Sequence, residues 1–489
     1  MNVLVIDVGT SSMRGILLSA EGVELTQKQS YYSVTYMENS WVEQAPSDWE
    51  DALYEIVREV SDLAAENDWT IDAISLTAQR SSVIPVDRSV QPLCNAIMWQ
   101  DKRTNAICAE LEKENDRIFS LCGSRVNPVF SGSKMTWLRE NRPEIYEKTY
   151  KFIVIPDLLI HRMTGRLCTD HTYGSRSLLM NLHTKQWDDE LLALFRVEKD
   201  KLCELVEPGS VCGTTTEDFA WRTGCPEGIP VITAGGDQQC GAIGQGVVEP
   251  GALSVTAGTG AFLIAAADRV PENLQQNVIC NCSSVPGQYV LESSVLTCCS
   301  AFDWFVKEFY DDCPLTLVDK DVMRSPIGAN GCLCLPYFQG RSTPDWNNAA
   351  KGLFANITLN TRRCDMLRSL LEGICFEICN GIENMRDYIQ VSDIYINGGL
   401  TNGQPFNEML CSAANARLIR RGKADATARG ALMVATAALG QYPTVADAYR
   451  AIGQGSESCI YQPEPEATAA YARLRNDMNE LYRNLYTEG

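Results

Sequence analysis

Short apolar runs alternate with amphipathic stretches along most of the chain. The runs that predict buried strands lie at residues 2–7, 71–77, 152–155, 230–233 and 394–396. Between them, apolar residues recur every three or four positions at 53–63 and 367–378, as they do on one face of a helix. A closing helix is expected at about 465–486. Strands that alternate with helices predict an α/β fold with mixed sheets.

Two of the apolar runs end in the same way. The run at residues 3–8 leads into Gly9 and Thr10, and the run at 253–257 leads into Gly258 and Thr259. These strand-to-turn units lie in opposite halves of a chain of 489 residues, which is too long for one ordinary core. We therefore expect two related α/β domains, an N-terminal one at residues 1–245 and a C-terminal one at residues 246–489.

The charge balance excludes one class of partner. Lysine and arginine number 42 and aspartate and glutamate 62, which gives a net charge of −20 at pH 7. Such a chain has no general attraction for nucleic acid or for an anionic membrane surface. No charged start followed by an apolar run is present, and no stretch of about 18 apolar residues occurs, so no membrane span is expected. A cytoplasmic location is the default.

The 20 cysteines contain no C-x-x-C pair. Without a secretion signal a disulfide framework is not expected, and buried, reduced thiols are the simplest interpretation. A metal or redox role stays open for the two C-x-C pairs, Cys280/Cys282 and Cys332/Cys334.

The turn after the first strand has the residues of an anion site. Gly9 lets the backbone turn tightly, and the hydroxyls and the cation that follow it can meet a phosphate. Asp7, at the strand end, could hold Mg²⁺, which prefers carboxylates and retained waters. An ordinary hairpin is the alternative. The segment supplies four candidate phosphate contacts: Thr10, Ser11, Ser12 and Arg14.

Two further glycine-containing segments follow buried strands. Residues 258–260, Gly-Thr-Gly, form a second candidate phosphate turn, although neither a Walker A motif nor a G-x-G-x-x-G after a strand is present. Asp237 stands among glycines after an apolar run, where a substrate can approach. A carboxylate that accepts a proton from an attacking hydroxyl is the group that phosphoryl transfer uses. An aspartate that caps the next helix is an alternative compatible with this role.

A fourth pair of segments, residues 77–82 and 96–104, combines an aromatic side chain with charged ones. Arg80, Trp99, Asp101 and Arg103 could line a polyol pocket, with an aromatic wall and charged hydrogen-bond partners. A core tryptophan with surface charges explains the same residues equally well.

Taken in order, these segments resemble the FGGY carbohydrate kinases, the family that contains glycerol kinase and xylulokinase. Residues 7–14 are similar to its first phosphate motif, and residues 99–104, 236–239 and 254–260 to its substrate, catalytic and second phosphate segments. Residues 336–344 resemble its P-Y-x-x-G-E-R-x-P signature. Residues 397–399 resemble the adenine-side turn and residues 428–431 a late glycine-containing helix.

The resemblance implies two actin-like ATPase (ribonuclease H-like) domains with a cleft between them. It implies sugar binding and the catalytic base in the N-terminal domain, and nucleotide binding in the C-terminal one. Asp237 would be the general base, and Asp7 and Asp237 the carboxylates associated with Mg²⁺. The implied ATP contacts are Thr10, Ser11, Ser12, Arg14, Gly258, Thr259, Gly260, Gly398, Gly399 and Asn402. The implied substrate contacts are Arg80, Ser81, Trp99, Asp101, Val129, Gln238 and Phe262.

The resemblance predicts ATP-dependent phosphorylation of a hydroxyl of a small sugar or polyol. Two departures bear on the substrate, since Ser81 stands where glycerol kinases have Glu and Val129 where they have Tyr. Losing these hydrogen-bond partners favours a ketose such as xylulose, or a polyol larger than glycerol. Glycerol kinase is the alternative. The acid of the signature is also missing, because Arg341 directly follows Gly340.

Three other functional classes stay open at this point. A non-catalytic sensor of sugar and nucleotide is one, although the retained Asp237 argues against it. A chaperone-like ATPase and a bare ATP hydrolase are the others. Assembly into a homodimer is a further expectation.

Overall fold

The computed structural model describes residues 1–311, 313–422, 425–453 and 458–486. Its strands, in chain order, are β1 (Asn2–Val8), β2 (Ser12–Ser19), β3 (Glu24–Tyr31), β4 (Thr35–Tyr36), β5 (Val42–Gln44), β6 (Ala73–Ala78), β7 (Ile84–Val86), β8 (Ala96–Ile97), β9 (Lys151–Ile153), β10 (Cys168–Asp170), β11 (Met180–Asn181), β12 (Gln186–Trp187), β13 (Glu204–Val206), β14 (Val211–Thr214), β15 (Pro230–Gly236), β16 (Leu253–Ala257), β17 (Ala261–Ala267), β18 (Ile279–Cys282), β19 (Tyr289–Val295), β20 (Leu333–Leu335), β21 (Leu353–Ala355), β22 (Ile394–Asn397), β23 (Leu418–Arg421) and β24 (Ser458–Tyr461).

The α-helices lie between these strands and after the last of them. They are α1 (Pro46–Glu66), α2 (Asn105–Leu111), α3 (Asn115–Cys122), α4 (Ser131–Asn141), α5 (Pro143–Lys148), α6 (Ile155–Thr164), α7 (His171–Gly174), α8 (Asp189–Phe195), α9 (Glu217–Thr223), α10 (Asp237–Gln245), α11 (Cys299–Phe309), α12 (Leu315–Val322), α13 (Arg363–Arg386), α14 (Gln404–Ala414), α15 (Ala426–Ala438), α16 (Val445–Ile452) and α17 (Pro465–Tyr486). The α/β fold and the closing helix are therefore confirmed.

Two large sheets share one strand arrangement. The N-terminal sheet has the order β14-β15-β6-β1-β2-β3 and the C-terminal sheet the order β18-β19-β17-β16-β22-β23-β24. In the first, β1, β2 and β3 are antiparallel neighbours, and β6 and β15 continue the sheet in parallel to β1. In the second, β16, β17 and β19 are antiparallel, and β22 and β23 continue in parallel to β16. The matching endings of β1 and β16 thus occupy equivalent places in two similar sheets.

The parallel strands bring the functional loops to one edge of each sheet. Asp7 is paired with Thr77, and Thr77 with Gly235, so the loops after β1, β6 and β15 leave the N-terminal sheet side by side. Thr256 is paired with Asn397, so the loops after β16 and β22 leave the C-terminal sheet side by side. Loops at the carboxyl ends of parallel strands are where α/β proteins place their ligands.

The apolar core runs across the predicted domain boundary. Helices α15 and α16 belong to the C-terminal half, yet they share a buried apolar cluster with Val3, Val5 and Ile232 of the N-terminal sheet. Helix α15 also packs closely on α10, where a Cβ at Gly430 would lie 1.8 Å from the Cys240 carbonyl oxygen. The division between residues 245 and 246 stays a prediction. None of the described helices combines the length and hydropathy needed to cross a bilayer.

Candidate active site

A cleft of about 1130 Å³ lies between the two halves of the chain. Eight residues of the predicted site line it, and they come from the turn after β1, the segments after β6, β8 and β15, the loop before α4, and β17. They are Thr10, Arg80, Ser81, Trp99, Val129, Asp237, Gln238 and Phe262.

Asp237 lies directly after β15, at the start of α10. Gly236 is the N-cap of that helix and Asp237 its first residue, so the carboxylate is placed at a helix N-terminus. Its Oδ1 accepts a hydrogen bond of 2.7 Å from the backbone N–H of Gln238, and its side chain is 26% exposed. Burial raises the pKa of Asp237, the cations Arg80 and Arg176 oppose this rise, and the charge of Glu292 adds to it.

Asp7 at the end of β1 forms an ion pair with Arg14 of β2. The same guanidinium also pairs with Asp425, the N-cap of α15, so Arg14 joins the two halves of the chain. Burial raises the pKa of Asp7 to about 6, Arg14 opposes this, and the charges of Asp237 and Asp425 add to it. Asp7 and Asp237 are therefore close enough to influence each other.

The turn after β1 separates its three hydroxyl groups. It is closed by a 2.9 Å hydrogen bond from the Gly9 N–H to the Ser12 carbonyl oxygen. Thr10 faces the cleft, where Trp99 Nε1 donates to its hydroxyl over 3.3 Å. Ser11 is exposed, and the Ser12 hydroxyl accepts from Gln29 Nε2 of β3 over 3.0 Å. The segment is thus a hairpin turn that presents Thr10 to the cleft.

The second turn, residues 258–260, connects β16 to β17 and packs on the turn after β22. Gly398 has a φ of +98°, and a Cβ there would lie 2.3 Å from the Ala257 carbonyl oxygen, so only glycine fits. Gly399 and Asn402 are the ends of the 3₁₀-helix that follows, and Asn402 Oδ1 accepts from Arg420 Nη2 over 2.6 Å. Thr259 is exposed at the tip of its turn. The predicted ATP contacts of the C-terminal half therefore lie together.

The substrate-side wall combines aromatic rings with polar groups. Trp99 is 37% and Phe262 47% exposed, large fractions for aromatic side chains, and both face the cleft. Ser81 has a positive φ of 70°, and its hydroxyl donates to the Arg176 carbonyl oxygen over 3.3 Å. The wall therefore offers aromatic rings on which a ligand can stack.

Asp101 and Arg103 do not line the cleft, and this part of the prediction needs correction. Asp101 is 1% exposed, and its oxygens accept from Arg103 Nε at 2.9 Å, from Arg103 Nη2 at 2.8 Å and from the Val42 N–H at 2.6 Å. The Arg103 guanidinium also lies over the rings of Trp41 and Trp137. Both residues brace the segment beneath the wall, so their charges are not offered to a ligand.

Several charged residues of the cleft were not predicted from the sequence, and two of them, Glu292 and Arg176, pair with each other. Glu292 of β19 accepts from Arg80 Nη1 at 2.9 Å and from Arg176 Nη1 at 3.2 Å. Arg176 lies over the Phe130 ring, 4.6 Å from its centroid. A charged residue inside the otherwise buried strand at 289–295 was the available signal, because an acid is rarely buried without a partner.

Lys134 of α4 holds the loop that carries Val129. The buried Nζ donates to the carbonyl oxygens of Pro128, Val129 and Phe130 at 2.8, 2.9 and 3.2 Å. Burial lowers the pKa of Lys134 to about 7, while the nearby charge of Asp101 opposes this. The lysine therefore fixes a backbone turn of the cleft wall from behind.

In the signature-like segment at 336–344, the acid that contacts Arg341 comes from a distant part of the sequence. Glu377 of α13 accepts from Arg341 Nε at 3.1 Å and from the Tyr337 hydroxyl at 2.8 Å. A buried carboxylate therefore does face Arg341, although none precedes it in the sequence. Arg341 also lines the cleft.

Comparison with known proteins identifies this architecture. The model of the N-terminal domain of the FGGY family of carbohydrate kinases matches residues 2–244, and that of the C-terminal domain matches residues 253–439. The chain belongs to the FGGY family of carbohydrate kinases. It is therefore an ATP-dependent phosphotransferase with an alcohol group of a small sugar or polyol as acceptor, as predicted.

The relatives that resemble this FGGY kinase include xylulose kinases and glycerol kinases. It is 27% identical to a xylulose kinase of Bacillus subtilis over 99% of this chain and 96% of the relative. It is 30% identical to a glycerol kinase of Thermococcus onnurineus over 88% of each chain. The solved structure of Plasmodium falciparum glycerol kinase with ADP is 25% identical, covers 98% of each chain and superimposes with a TM-score of 0.90. The predicted pair of actin-like ATPase domains is thus confirmed.

The carboxylates of this FGGY kinase suit Mg²⁺ better than a metal held wholly by protein. Among the residues that the structure describes, no group of three or more His, Cys, Asp or Glu could hold a metal ion. Mg²⁺ typically takes one or two carboxylates and completes its shell with water and phosphate oxygens, which is compatible with Asp7 and Asp237 at the ends of β1 and β15.

The two C-x-C pairs are buried and, among the described residues, belong to no group that could hold a metal ion. Cys280, Cys282, Cys332 and Cys334 are buried, and burial raises the pKa of each thiol, to about 12 for Cys282. Such thiols resist deprotonation, so they act as small apolar side chains.

Proposed function

We propose that this kinase phosphorylates a ketose such as xylulose, or a polyol larger than glycerol, with Asp237 as the general base. In this scheme the Asp237 carboxylate accepts the proton of the attacking hydroxyl as the γ-phosphoryl group of ATP is transferred in line. The raised pKa of Asp237 supports this role, because a base works best when its pKa is drawn toward the working pH.

The proposed class of substrate rests on the residues found at two positions of the cleft wall. Ser81 and Val129 both line the cleft, where the resemblance to glycerol kinases leads one to expect a carboxylate and a phenol. The Ser81 hydroxyl donates to the Arg176 carbonyl oxygen, and one hydroxyl offers a ligand fewer acceptor sites than the carboxylate expected there. A wall with more room and fewer hydrogen-bond partners favours a longer acceptor than glycerol.

The charges next to Asp237 support an uncharged acceptor at that point of the cleft. The cations Arg80 and Arg176 are balanced by Asp237 and Glu292, and the four groups lie in contact or nearly so. A charged sugar would leave one of these groups unpaired in a partly buried site, which costs free energy.

The remaining roles concern the phosphates. Asp7 and Asp237 are proposed to hold Mg²⁺, which would neutralise charge developing on the phosphoryl oxygens. Arg14 and the predicted hydroxyl and backbone contacts of the two glycine turns are proposed to bind ATP. Assembly into a homodimer stays a prediction.

Glycerol is the competing substrate, because glycerol kinases of about the same similarity cover most of the chain. A coupled assay of ADP release over pentuloses, hexuloses, tetritols, pentitols and glycerol decides between them. We expect a ketose or a longer polyol to exceed glycerol in kcat/KM by at least about 10-fold. Glycerol as the best acceptor would overturn the proposal.

The same assay separates the other functional classes. ADP release without any acceptor indicates a bare ATP hydrolase, and the Asp237→Asn variant measures the background. Sugar and nucleotide binding without ADP release, seen by calorimetry, indicates a sensor.

A further inference from the structure

Glu292 is a buried acid at the joint between the two halves of the chain. It belongs to β19 of the C-terminal sheet, and its side chain is 12% exposed. Its Oε1 accepts from Arg80 Nη1 and from Asn281 Nδ2, each at 2.9 Å, and its Oε2 accepts from Arg176 Nη1 at 3.2 Å. One carboxylate of the C-terminal half therefore holds two guanidinium groups of the N-terminal half.

These contacts determine how Arg80 faces the cleft. Glu292 and Gln239 both accept from Nη1, and Nε lies 4.0 Å from Asp237 Oδ1. Within the part of the chain that the structure describes, Nη2 has no hydrogen-bond partner, although Arg80 lines the cleft. The guanidinium is thus fixed at one nitrogen and keeps donors for a ligand beside Asp237.

Glu292 also makes it possible for Arg80 and Arg176 to stand next to each other. Burial favours the neutral acid, but the two arginines keep the pKa of Glu292 below its ordinary value, so it stays ionised. Arg176 in turn rests on Phe130 and accepts from Ser81 through its carbonyl oxygen. Without the acid, two cations would repel each other in the wall of the site.

We propose that Glu292 is a positioning residue, which holds Arg80 against the sugar and links that position to the approach of the two halves. The link follows because the acid belongs to the C-terminal half and the two arginines to the N-terminal half, so these ion pairs connect the halves at the cleft. The inference rests on the proposed function of the cleft as the sugar site, and it assigns to Glu292 no contact with the reacting atoms.

The test is the Glu292→Gln variant, which keeps the shape of the side chain and removes its charge. With D-xylulose as the first probe, or the best acceptor of the panel, we expect the sugar KM to rise about 10- to 100-fold. The KM for ATP should stay within about twofold, because the glycine turns are untouched. The Glu292→Asp variant, with a shorter acid, should recover part of the sugar affinity.

A matched control removes another buried, arginine-paired acid elsewhere. Glu372 of α13 is 3% exposed and pairs with Arg368 Nε at 2.8 Å, away from the cleft residues. Glu372→Gln should lower the melting temperature to a similar extent while both KM values stay at the wild-type level. If the sugar KM rose in this control as well, the KM change in Glu292→Gln would be explained by a general loss of stability. That result would overturn the proposal.

A double variant tests whether Glu292 acts through Arg80. Arg80→Met with Glu292→Gln should be no more impaired in sugar kcat/KM than Arg80→Met alone, because the proposed effect of the acid on the sugar passes through Arg80. Additive losses, or an unchanged sugar KM in Glu292→Gln, would refute the positioning role while leaving the proposed function intact. A wild-type chain that phosphorylates no member of the panel would overturn the proposed function and this inference with it.

Discussion

Arg80 Nε lies 4.0 Å from Asp237 Oδ1, near enough for attraction between the charges but too far for a hydrogen bond. Asp237 Oδ1 is bonded to the Gln238 N–H, and Oδ2 has no partner among the described residues. The carboxylate is therefore held in place by one oxygen and has the other free to accept a proton.

Replacing Asp237 by Asn should abolish turnover and preserve binding. We expect kcat to fall by about 10²- to 10⁴-fold, because the amide cannot accept the hydroxyl proton. Dissociation constants for ATP and sugar, measured by calorimetry, should change little. Asp218→Asn, at an exposed acid paired with Arg222, is the control and should leave kcat unchanged. Near-normal turnover in Asp237→Asn would remove the role of base.

Restoring a phenol at position 129 should move the preference toward glycerol. Val129→Tyr fills part of the cleft and adds a hydrogen-bond partner, so we expect kcat/KM for ketoses to fall about 10-fold relative to that for glycerol. The measurement is the ratio of the two kcat/KM values in one enzyme preparation. An unchanged ratio would mean that residue 129 does not contact the acceptor.

Lys134→Met should loosen the loop of the cleft wall. Three carbonyl oxygens lose their cationic donor, so the free energy of unfolding should fall by about 3 kcal/mol. The sugar KM should rise while the KM for ATP is retained. Lys148→Met, at an exposed lysine, is the control for loss of a charge. Equal changes in both KM values would argue against a local effect.

Gly398→Ala should disrupt the nucleotide side. The added Cβ would meet the Ala257 carbonyl oxygen at 2.3 Å and the φ is +98°, so strain and displacement together should cost more than about 3 kcal/mol. The KM for ATP should rise, because the turn borders residues 258–260. Gly440→Ala has a φ of +74° with nothing within 4 Å, and it should cost only about 1–2 kcal/mol. Chemical denaturation compares the two variants.

Glu377→Gln tests the buried acid that faces Arg341. The amide leaves the guanidinium without its charge partner, so the free energy of unfolding should fall by about 3–5 kcal/mol. Glu383→Gln on the same helix removes a 44% exposed acid and should cost no more than about 1 kcal/mol. If both variants lost the same free energy of unfolding, the buried ion pair would contribute no more to stability than the exposed one.

The sequence was most informative where chemistry depends on backbone turns. Asp7, Asp237 and the two glycine turns could be identified as candidates because each follows an apolar run, and the topology of each sheet then places its own run ends at one edge. Asp101 could not be assigned, because a pattern gives the residue and not the direction of its side chain. The roles of Glu292 and Lys134 were not predicted. The arginine partners of Glu292 lie far away along the chain and those of Lys134 are backbone carbonyl groups, and residue spacing reveals neither kind of contact.

The packing of α15 and α16 on the N-terminal sheet affects how the protein is made. During synthesis, the apolar face formed by Val3, Val5 and Ile232 leaves the ribosome long before residues 426–452 exist to cover it. The first half of the nascent polypeptide therefore carries an uncovered apolar surface until the later residues are made, and such surfaces favour aggregation and chaperone binding. Expressing that half alone would leave the surface uncovered, so we do not expect the first half to fold as a separate module.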